Sequence, residues 1–267
     1  MAPFSLEWLN PVLDQCREDV SRQRHPRVRD KPAPVGVEDQ VTELDLSIEK
    51  RIVTAGRHRY PRAGILSEES FPDPAALSDD LCLVIDPIDG TKEMVAGSSD
   101  FSISVGLLKN GRPVAGVLDF PRLGYRFICE AGSGTSVNGR PLRLPATPGP
   151  GAAVVAVSPT QLAMTGLQPS LDRLRSWAHE LVPVGALTPK VAQVLLGNCH
   201  VAVYLPLPGR SAFIWDYVVA ALMLAEAGGG FFSFANGDLL ETLPVRHDQG
   251  WIAGPPALCR QLWAATQ

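Results

Sequence analysis

Two aspartates that directly follow an apolar run are the residues of this sequence best suited to chemistry. The run, Leu81 to Ile85, is continuously apolar, which is typical of a strand buried on both faces. Asp86 and Asp89 come next. Pro87 and Gly90 turn the chain there, so both carboxylates meet solvent at the end of a rigid element. Oxygen ligands of this kind suit Mg²⁺. An ordinary Pro/Gly turn with aspartate caps would show the same residues.

Further acidic positions fall at the ends of other expected elements. Glu68 and Glu69 follow the short apolar segment 64–67, Asp45 lies where an apolar-periodic helix begins, and Asp216 opens a long helix. Taken alone, the glutamate pair is typical of a solvated surface, and the two aspartates are typical of first-turn helix acids. A helix that begins near Thr91 would add N–H groups suited to phosphate.

In this order the pieces resemble the signature of the inositol monophosphatase superfamily, the lithium-sensitive metal-dependent phosphatases. The resemblance extends from about Thr42 to Gly229 and includes Trp215 before Asp216. It implies an α+β fold with layered αβαβα architecture and a homodimer. It also implies a Mg²⁺-dependent phosphomonoesterase that hydrolyses a small phosphorylated metabolite by metal-activated water, without a covalent intermediate.

The resemblance also implies roles for individual residues. Two or three Mg²⁺ ions would be bound by the carboxylates of four residues and by one main-chain carbonyl: Glu68, Asp86, Asp89, Asp216 and the carbonyl of Ile88. Water would be activated by Asp45, Glu68 and Thr91. Glu69 would be a further contact to water or metal. Gly90 and Thr91 would donate N–H groups to the substrate phosphate.

The sequence departs from the family pattern at four places. Ser67 replaces the usual Gly before the glutamate pair, and Gly185-Ala186 replaces Gly-Ser. Residues 218–220 read Val-Val-Ala where the family has Ala-Ala-Gly, and the bulkier side chains are predicted to narrow the pocket. No carboxylate occurs between Tyr204 and Trp215, where inositol-specific members carry one.

Lysines near the site point to one branch of the superfamily. The run Thr91-Lys92-Glu93 resembles the DGTKE segment of the 3'(2'),5'-bisphosphate nucleotidases, which hydrolyse 3'-phosphoadenosine 5'-phosphate. Lys190 stands where that branch has a helical lysine. Lys92 and Lys190 could bind a second phosphate group through their positive charges, or both could be solvated lysines. Arg210 is a weaker candidate of the same kind. Inositol monophosphate, fructose bisphosphate, histidinol phosphate and nicotinamide dinucleotide phosphate stay open as alternatives.

The remaining pattern predicts the elements that position these residues. A Pro/Gly-rich joint at 141–151 divides the chain into an N-terminal half, 1–145, and a C-terminal half, 146–267, of one compact catalytic unit. The segment Gln23 to Asp39 is expected to be a loop. Helices are expected at 4–24, from about 42, at 168–180, 189–197 and 215–227. Strands are expected at 64–67, 81–85, 101–108, 113–120, 125–129, 153–157 and 201–205.

Composition limits the classes of function. The 267 residues are 45% hydrophobic and 19% charged, as in a globular chain that can bury a core. The net charge is −4, whereas a nucleic-acid partner would favour a basic surface, so no nucleic-acid partner is expected. The five cysteines have no CxxC spacing, and neither a signal segment nor a membrane span is expected, so a cytoplasmic location is predicted. No GxSxG, HExxH or P-loop motif supports another hydrolase chemistry. A catalytically quiet member that binds a ligand or partner, with the 25–39 loop as one contact, is the other hypothesis.

Overall fold

A computed structural model describes residues 4–23, 26–30, 40–235 and 237–266. Its helices are α1 Asn10–Arg22, α2 Glu43–Arg59, α3 Thr91–Val95, α4 Pro159–Leu162, α5 Gln168–Trp177, α6 Thr188–Leu195, α7 Ile214–Glu226, α8 Leu239–Thr242 and α9 Pro256–Thr266. Its strands are β1 Val28–Asp30, β2 Gln40–Thr42, β3 Gly64–Ser67, β4 Leu81–Asp89, β5 Ser102–Lys109, β6 Arg112–Phe120, β7 Tyr125–Glu130, β8 Gly134–Val137, β9 Arg140–Leu142, β10 Val154–Val157, β11 Glu180–Pro183, β12 Val201–Tyr204, β13 Ala212–Phe213, β14 Gly230–Ser233, β15 Gly237–Asp238, β16 Arg246–His247 and β17 Trp251–Gly254.

The first large sheet has seven strands in the order β3-β4-β5-β6-β7-β8-β9. β3 and β4 are parallel, and every later pair is antiparallel. The predicted hairpin between β5 and β6 is confirmed. Asn110 and Gly111 both have positive φ there, at 49° and 71°, which is the conformation that a tight two-residue hairpin turn requires.

The second large sheet has six strands in the order β11-β10-β12-β17-β14-β15. β10 is parallel to both β11 and β12, whereas β17 is antiparallel to its two neighbours. The first sheet ends with β9, which reaches Leu142 at the start of the joint at 141–151, and every strand of the second sheet follows the joint.

Helices cover both sheets. α1 and α2 pack on the outer face of the first sheet, α6 and α7 lie between the two sheets, and α5 and α9 cover the outer face of the second. α7 contacts strands of both sheets, which explains why it is apolar nearly all round. The α+β class and the layered αβαβα arrangement are therefore confirmed.

Several predicted boundaries need correction. Within the expected loop Gln23 to Asp39, β1 forms an antiparallel pair with β2, while residues 24, 25 and 31–39 lie outside the described part of the chain. The helix expected at 168–180 stops at Trp177, because Glu180 begins a parallel strand beside β10. The helix expected at 4–24 is a short 3-10 turn, Glu7–Leu9, followed by α1.

The described residues include no helix that is both long enough and apolar enough to span a membrane. The five cysteines are buried free thiols.

Candidate active site

The end of β4 carries Asp86 and Asp89, the two aspartates that follow the apolar run in the sequence. The strand expected over residues 81–85 continues to Asp89. Asp86 pairs with Ser104 of β5, Asp89 pairs with Ser102, and the register shifts between the two pairs. A regular strand would turn residues three apart to opposite faces. The irregularity lets both carboxylates line one cavity.

Three carboxylates from three elements converge beside this strand end. Glu68 follows β3, Asp86 lies on β4 and Asp216 lies in the first turn of α7. One oxygen from each lies within 4.8 Å of the others. β3 and β4 are parallel, so their carboxyl ends meet at one edge of the sheet. The structure therefore brings together three of the four predicted carboxylate ligands.

The donor set of this cluster fits a divalent cation. Asp86 is 1% exposed, and its Oδ1 is buried without a hydrogen-bond partner among the described residues. Burial, together with the neighbouring charges of Glu68, Asp89 and Asp216, raises the pKa of Asp86 well above its ordinary range. A bound cation would use the orphaned oxygen and neutralise this repulsion. Carboxylate oxygens are the ligands that Mg²⁺ prefers.

Asp89 lines the same cavity but is anchored elsewhere. Its Oδ2 accepts hydrogen bonds from the N–H of Thr188 at 2.6 Å, the hydroxyl of Thr188 at 2.5 Å and the N–H of Leu187 at 3.1 Å. Burial raises the pKa of Asp89, and the hydrogen bonds from Thr188 oppose that rise. The carboxylate thus joins the end of β4 to the start of α6.

Asp45 and Thr91 are brought together although they lie far apart in the sequence. Thr42 caps α2, as its hydroxyl accepts the N–H of Leu44. Asp45 Oδ2 accepts the N–H and hydroxyl of Thr42 at 2.8 and 2.5 Å. Asp45 Oδ1 accepts the Thr91 hydroxyl at 3.0 Å, and the carbonyl of Ile88 is the alternative acceptor at 3.1 Å. The capping arrangement of α2 therefore fixes the carboxylate against Thr91.

The cavity has a volume of about 310 Å³. The predicted phosphate contacts, Gly90 and Thr91, line it at the start of α3, where Gly90 takes a φ of +102°. Its hypothetical Cβ would lie 2.8 Å from the carbonyl oxygen of Asp100, so the close approach of backbone at this turn requires glycine. Glu69 lies outside the cavity lining, and its N–H donates to Glu49.

Lys190 lies inside the cavity wall and is only 2% exposed, so the alternative of a solvated lysine is wrong for this residue. Its Nζ donates to the carbonyl of Ala186 and lies 5.9 Å from the centre of the Trp251 ring. Burial lowers the pKa of Lys190 to about 8, and the charges of Asp89 and Glu93 oppose that fall. Lys92 and Arg210 also line the cavity.

The bulky residues 218–220 do not line the cavity, so the prediction that they narrow it is wrong. Val219 is buried between the sheets, where its methyl groups face Gly106 of β5 and Gly116 of β6. Glycines on the sheet supply the space that the larger helix residue takes up.

Three groups in or beside the site escaped sequence reasoning. Thr188, which binds Asp89, precedes a proline at a helix start, and that pattern indicates a helix N-terminus. Tyr204 and Trp251 line the cavity as a stacked pair with ring centres 6.3 Å apart and planes 18° apart. Glu49 lies four residues after Asp45, so both residues lie on one face of α2. No sequence signal identified what Glu49 contacts.

Solved structures of other proteins share this fold. The crystal structure of the extragenic suppressor protein suhB from Bartonella henselae superposes with a TM-score of 0.79. The two chains are 25% identical, and the match covers 96% of this chain and 97% of the other.

Comparison of sequences gives the family. The sequence model of the inositol monophosphatase family matches residues 14–266. The fructose-1,6-bisphosphatase/inositol-1-monophosphatase of Thermotoga maritima is 28% identical over 79% of this chain and 77% of its own length. Nus factor SuhB of Pseudomonas aeruginosa is 30% identical over 72% and 71%. The chain belongs to the inositol monophosphatase family.

Proposed function

We propose that this protein is a Mg²⁺-dependent phosphomonoesterase that hydrolyses a small phosphorylated metabolite. The observation that carries the proposal is the buried Asp86 oxygen, which has no hydrogen-bond partner in the described part of the chain and lies in a group of carboxylates from the end of β3, from β4 and from α7. Such a group is costly to keep ionised unless a cation is bound. Asp89 and the carbonyl of Ile88 lie at the same cavity and would complete the ligand set for two or three ions.

The residues of the chain have separate tasks in this reaction. When bound, Mg²⁺ would supply a water of lowered pKa and offset the charge that develops on the phosphate and leaving oxygens. With its proton directed to Asp45 Oδ1, Thr91 Oγ1 presents lone pairs that can accept a hydrogen bond from the attacking water. Glu68 can hold the same water from the other side. The N–H groups of Gly90 and Thr91 would orient the phosphate.

The substrate class we favour carries a second phosphate and a flat ring, as 3'-phosphoadenosine 5'-phosphate does. Lys190, Lys92 and Arg210 bring positive charge to the cavity wall. Tyr204, which is partly exposed at the cavity wall and packs on the buried Trp251, adds an aromatic side chain against which a base could stack. Inositol monophosphate is the second candidate, but the stretch between Tyr204 and Trp215 contains no carboxylate for its hydroxyls.

A non-catalytic role and other phosphatase substrates are the alternatives to this proposal. One relative is named Nus factor SuhB rather than as an enzyme, so a non-catalytic member that binds a partner is the competing reading. The absence of a nucleic-acid partner stays a prediction. Phosphatases for other sugar phosphates or histidinol phosphate use the same chemistry and differ only in the cavity wall. Homodimer formation, a cytoplasmic location and inhibition by Li⁺ belong to the proposal because the family resemblance implies them.

The decisive experiment measures phosphate release with Mg²⁺ and with a chelator. The panel contains inositol 1-phosphate, 3'-phosphoadenosine 5'-phosphate, fructose 1,6-bisphosphate, histidinol phosphate and a nicotinamide dinucleotide phosphate. We expect Mg²⁺-dependent release, highest with 3'-phosphoadenosine 5'-phosphate, and none from a folded Asp86→Asn variant. If the folded protein binds Mg²⁺ but releases phosphate from none of these compounds, the result would favour the non-catalytic hypothesis.

A further inference from the structure

Another buried carboxylate, Glu49, binds the loop that carries Glu68. Glu49 is 2% exposed on α2. A single oxygen, Oε1, accepts three hydrogen bonds: from the hydroxyl of Ser67, from the N–H of Glu69 at 3.2 Å and from the N–H of Ser70 at 3.1 Å. Ser67 is itself fully buried. Three donors on one buried acceptor make a fixed connection between α2 and the segment 67–70.

This connection completes the hydrogen bonding of the loop that carries Glu68. The N–H of Ser67 donates to the carbonyl of Phe71 at 2.9 Å, and the N–H of Phe71 donates back at 3.2 Å. The N–H of Glu68 donates to the carbonyl of Ile85 at 3.2 Å. The two remaining N–H groups of the loop, at residues 69 and 70, both find their acceptor in Glu49. Without that side chain, two donors at a partly buried turn would lose their partner.

The loop is short, so its backbone sets the direction of the Glu68 side chain. Glu68 lies between Ser67 and Glu69, both bonded to Glu49. A metal site needs its ligand oxygens held within a few tenths of an ångström, and groups behind the ligands usually do this. One turn earlier on the same helix, Asp45 holds Thr91. α2 therefore fixes two parts of the site from one face.

We propose that Glu49 and Ser67 are positioning residues that set the Glu68 carboxylate for metal binding. The family pattern has glycine at position 67, so the hydroxyl bond to Glu49 is a feature of this chain's own sequence. The inference rests on the proposed function, because it concerns the same Mg²⁺ site. It adds that Mg²⁺ affinity depends on a carboxylate that does not touch the metal.

The test compares Mg²⁺ binding by four variants, measured by titration calorimetry without substrate. Glu49→Ala removes the acceptor, and the Mg²⁺ dissociation constant should rise on the order of 10-fold. Ser67→Ala removes one of the three donors and should raise it less. Glu49→Gln keeps an oxygen that can accept the same bonds, so it should stay near the wild-type value. Glu43→Gln, a half-exposed carboxylate on the same helix, is the matched control.

Kinetic measurements distinguish a role in positioning the Glu68 carboxylate from a general loss of native structure. In Glu49→Ala, the Mg²⁺ concentration for half-maximal activity should rise, while kcat at saturating Mg²⁺ should change little. If Glu49→Ala does not fold, Ser67→Ala carries the test by the same criterion. Wild-type affinity in every alanine variant that folds, Glu49→Ala or Ser67→Ala, would overturn the inference and leave the proposed function intact. A wild-type protein that binds no Mg²⁺ would overturn both.

Discussion

Asp86 and Asp89 come from one strand but have different surroundings. One oxygen of Asp86 is buried and has no hydrogen-bond partner among the residues that the structure describes, whereas Oδ2 of Asp89 accepts three hydrogen bonds from the start of α6. Both face the cavity. A cation would therefore be the main partner of Asp86, while Asp89 would share its charge between the cation and the N-terminus of a helix.

Replacing Asp89 by asparagine should separate these two tasks. The amide oxygen of Asp89→Asn can still accept from Thr188, so the fold should persist, but the negative charge at the metal site is lost. We expect kcat/KM to fall on the order of 100-fold, with an unchanged circular dichroism spectrum. Asp73→Asn, at the capping position of a remote 3-10 turn, is the control and should keep full activity. Near-normal turnover in folded Asp89→Asn would refute the metal-ligand assignment.

Lys190 gives the second residue-scale prediction. Burial lowers its pKa to about 8, so the ammonium loses its charge as pH rises through that value. If it binds a second phosphate, kcat/KM for a bisphosphate substrate should fall above about pH 8. Lys190→Met should lack this fall and should raise KM for the bisphosphate about 10-fold. KM for a monophosphate should change little. Equal changes for both substrates would show that Lys190 has only a packing role.

Sequence alone identified the acidic residues of the site but missed the aromatic pair in its wall and two residues that hold its side chains or backbone in place. Asp45 and Asp216 were recognisable because each stands at a helix start in a family pattern. The role of Thr188 depends on a contact with Asp89 across 99 positions, and that of Glu49 on contacts 18 to 21 positions away. Neither contact leaves a periodic or spacing signal, since only the tertiary fold creates it.

At the scale of elements, the hydrophobic periodicity and the length of each helix or strand decided whether it could be predicted. α2 and α7 show apolar repeats over 17 and 13 residues, and both were found. β14 and β17 have four residues each and pair with each other, residues 230–233 against 251–254, so no local pattern marked them as strands. The end of α7 was predictable because Gly228 takes a φ of +92° just after the helix.

A buried charge cluster fastens α1 to the first sheet. Asp119 of β6 is fully buried and binds two arginines: Arg17 through both oxygens, at 2.8 and 2.9 Å, and Arg126 at 2.6 Å. Arg126 also binds Asp14 of α1 at 2.8 Å. Two guanidinium groups therefore share the buried carboxylate of Asp119.

Removing that carboxylate should destabilise the protein strongly. Asp119→Ala leaves Arg17 without its carboxylate partner and leaves Arg126 with only the exposed Asp14, so we expect a loss of about 3 kcal/mol in the free energy of unfolding. The comparison is Glu18→Ala, which breaks an exposed pair with Arg22 and should cost less than about 1 kcal/mol. Urea denaturation measures both. Equal losses would show that the cluster adds nothing beyond a surface ion pair.

The contact between α7 and the first sheet gives another prediction. A Cβ at Gly116 would lie 2.7 Å from Val219 Cγ1 and 3.2 Å from Cys129 Sγ. Gly116→Ala should therefore cost about 1–3 kcal/mol through overpacking. In a Val219→Ala background the same substitution should cost less, because the methyl group it strikes is gone. Gly166→Ala has no neighbour within 4 Å and serves as the control. Additive costs in the double variant would contradict this packing account.

At the scale of the whole molecule, the site is shared between the two sheet-bearing halves. Asp86 comes from a strand of the first sheet and Glu68 directly follows another, whereas Asp216 comes from the helix between the sheets and Trp251 from the second sheet. Neither half holds the full cavity wall. A bound cation would therefore connect parts of the chain that lie far apart, and its binding energy would add to the stability of the folded protein.

This coupling predicts that stabilisation by Mg²⁺ grows with pH. The pKa values of Asp86 and Asp89 are raised by burial, so these groups favour the folded state while protonated and lose that contribution as pH rises through their raised values. Mg²⁺ competes with those protons. At about 100 times its dissociation constant it should add about 2.7 kcal/mol. We expect the gain in Tm at a fixed Mg²⁺ concentration to be larger at about pH 8 than at about pH 5. Asp86→Asn should reduce both the gain and its pH dependence, and an equal gain at the two pH values would refute the coupling.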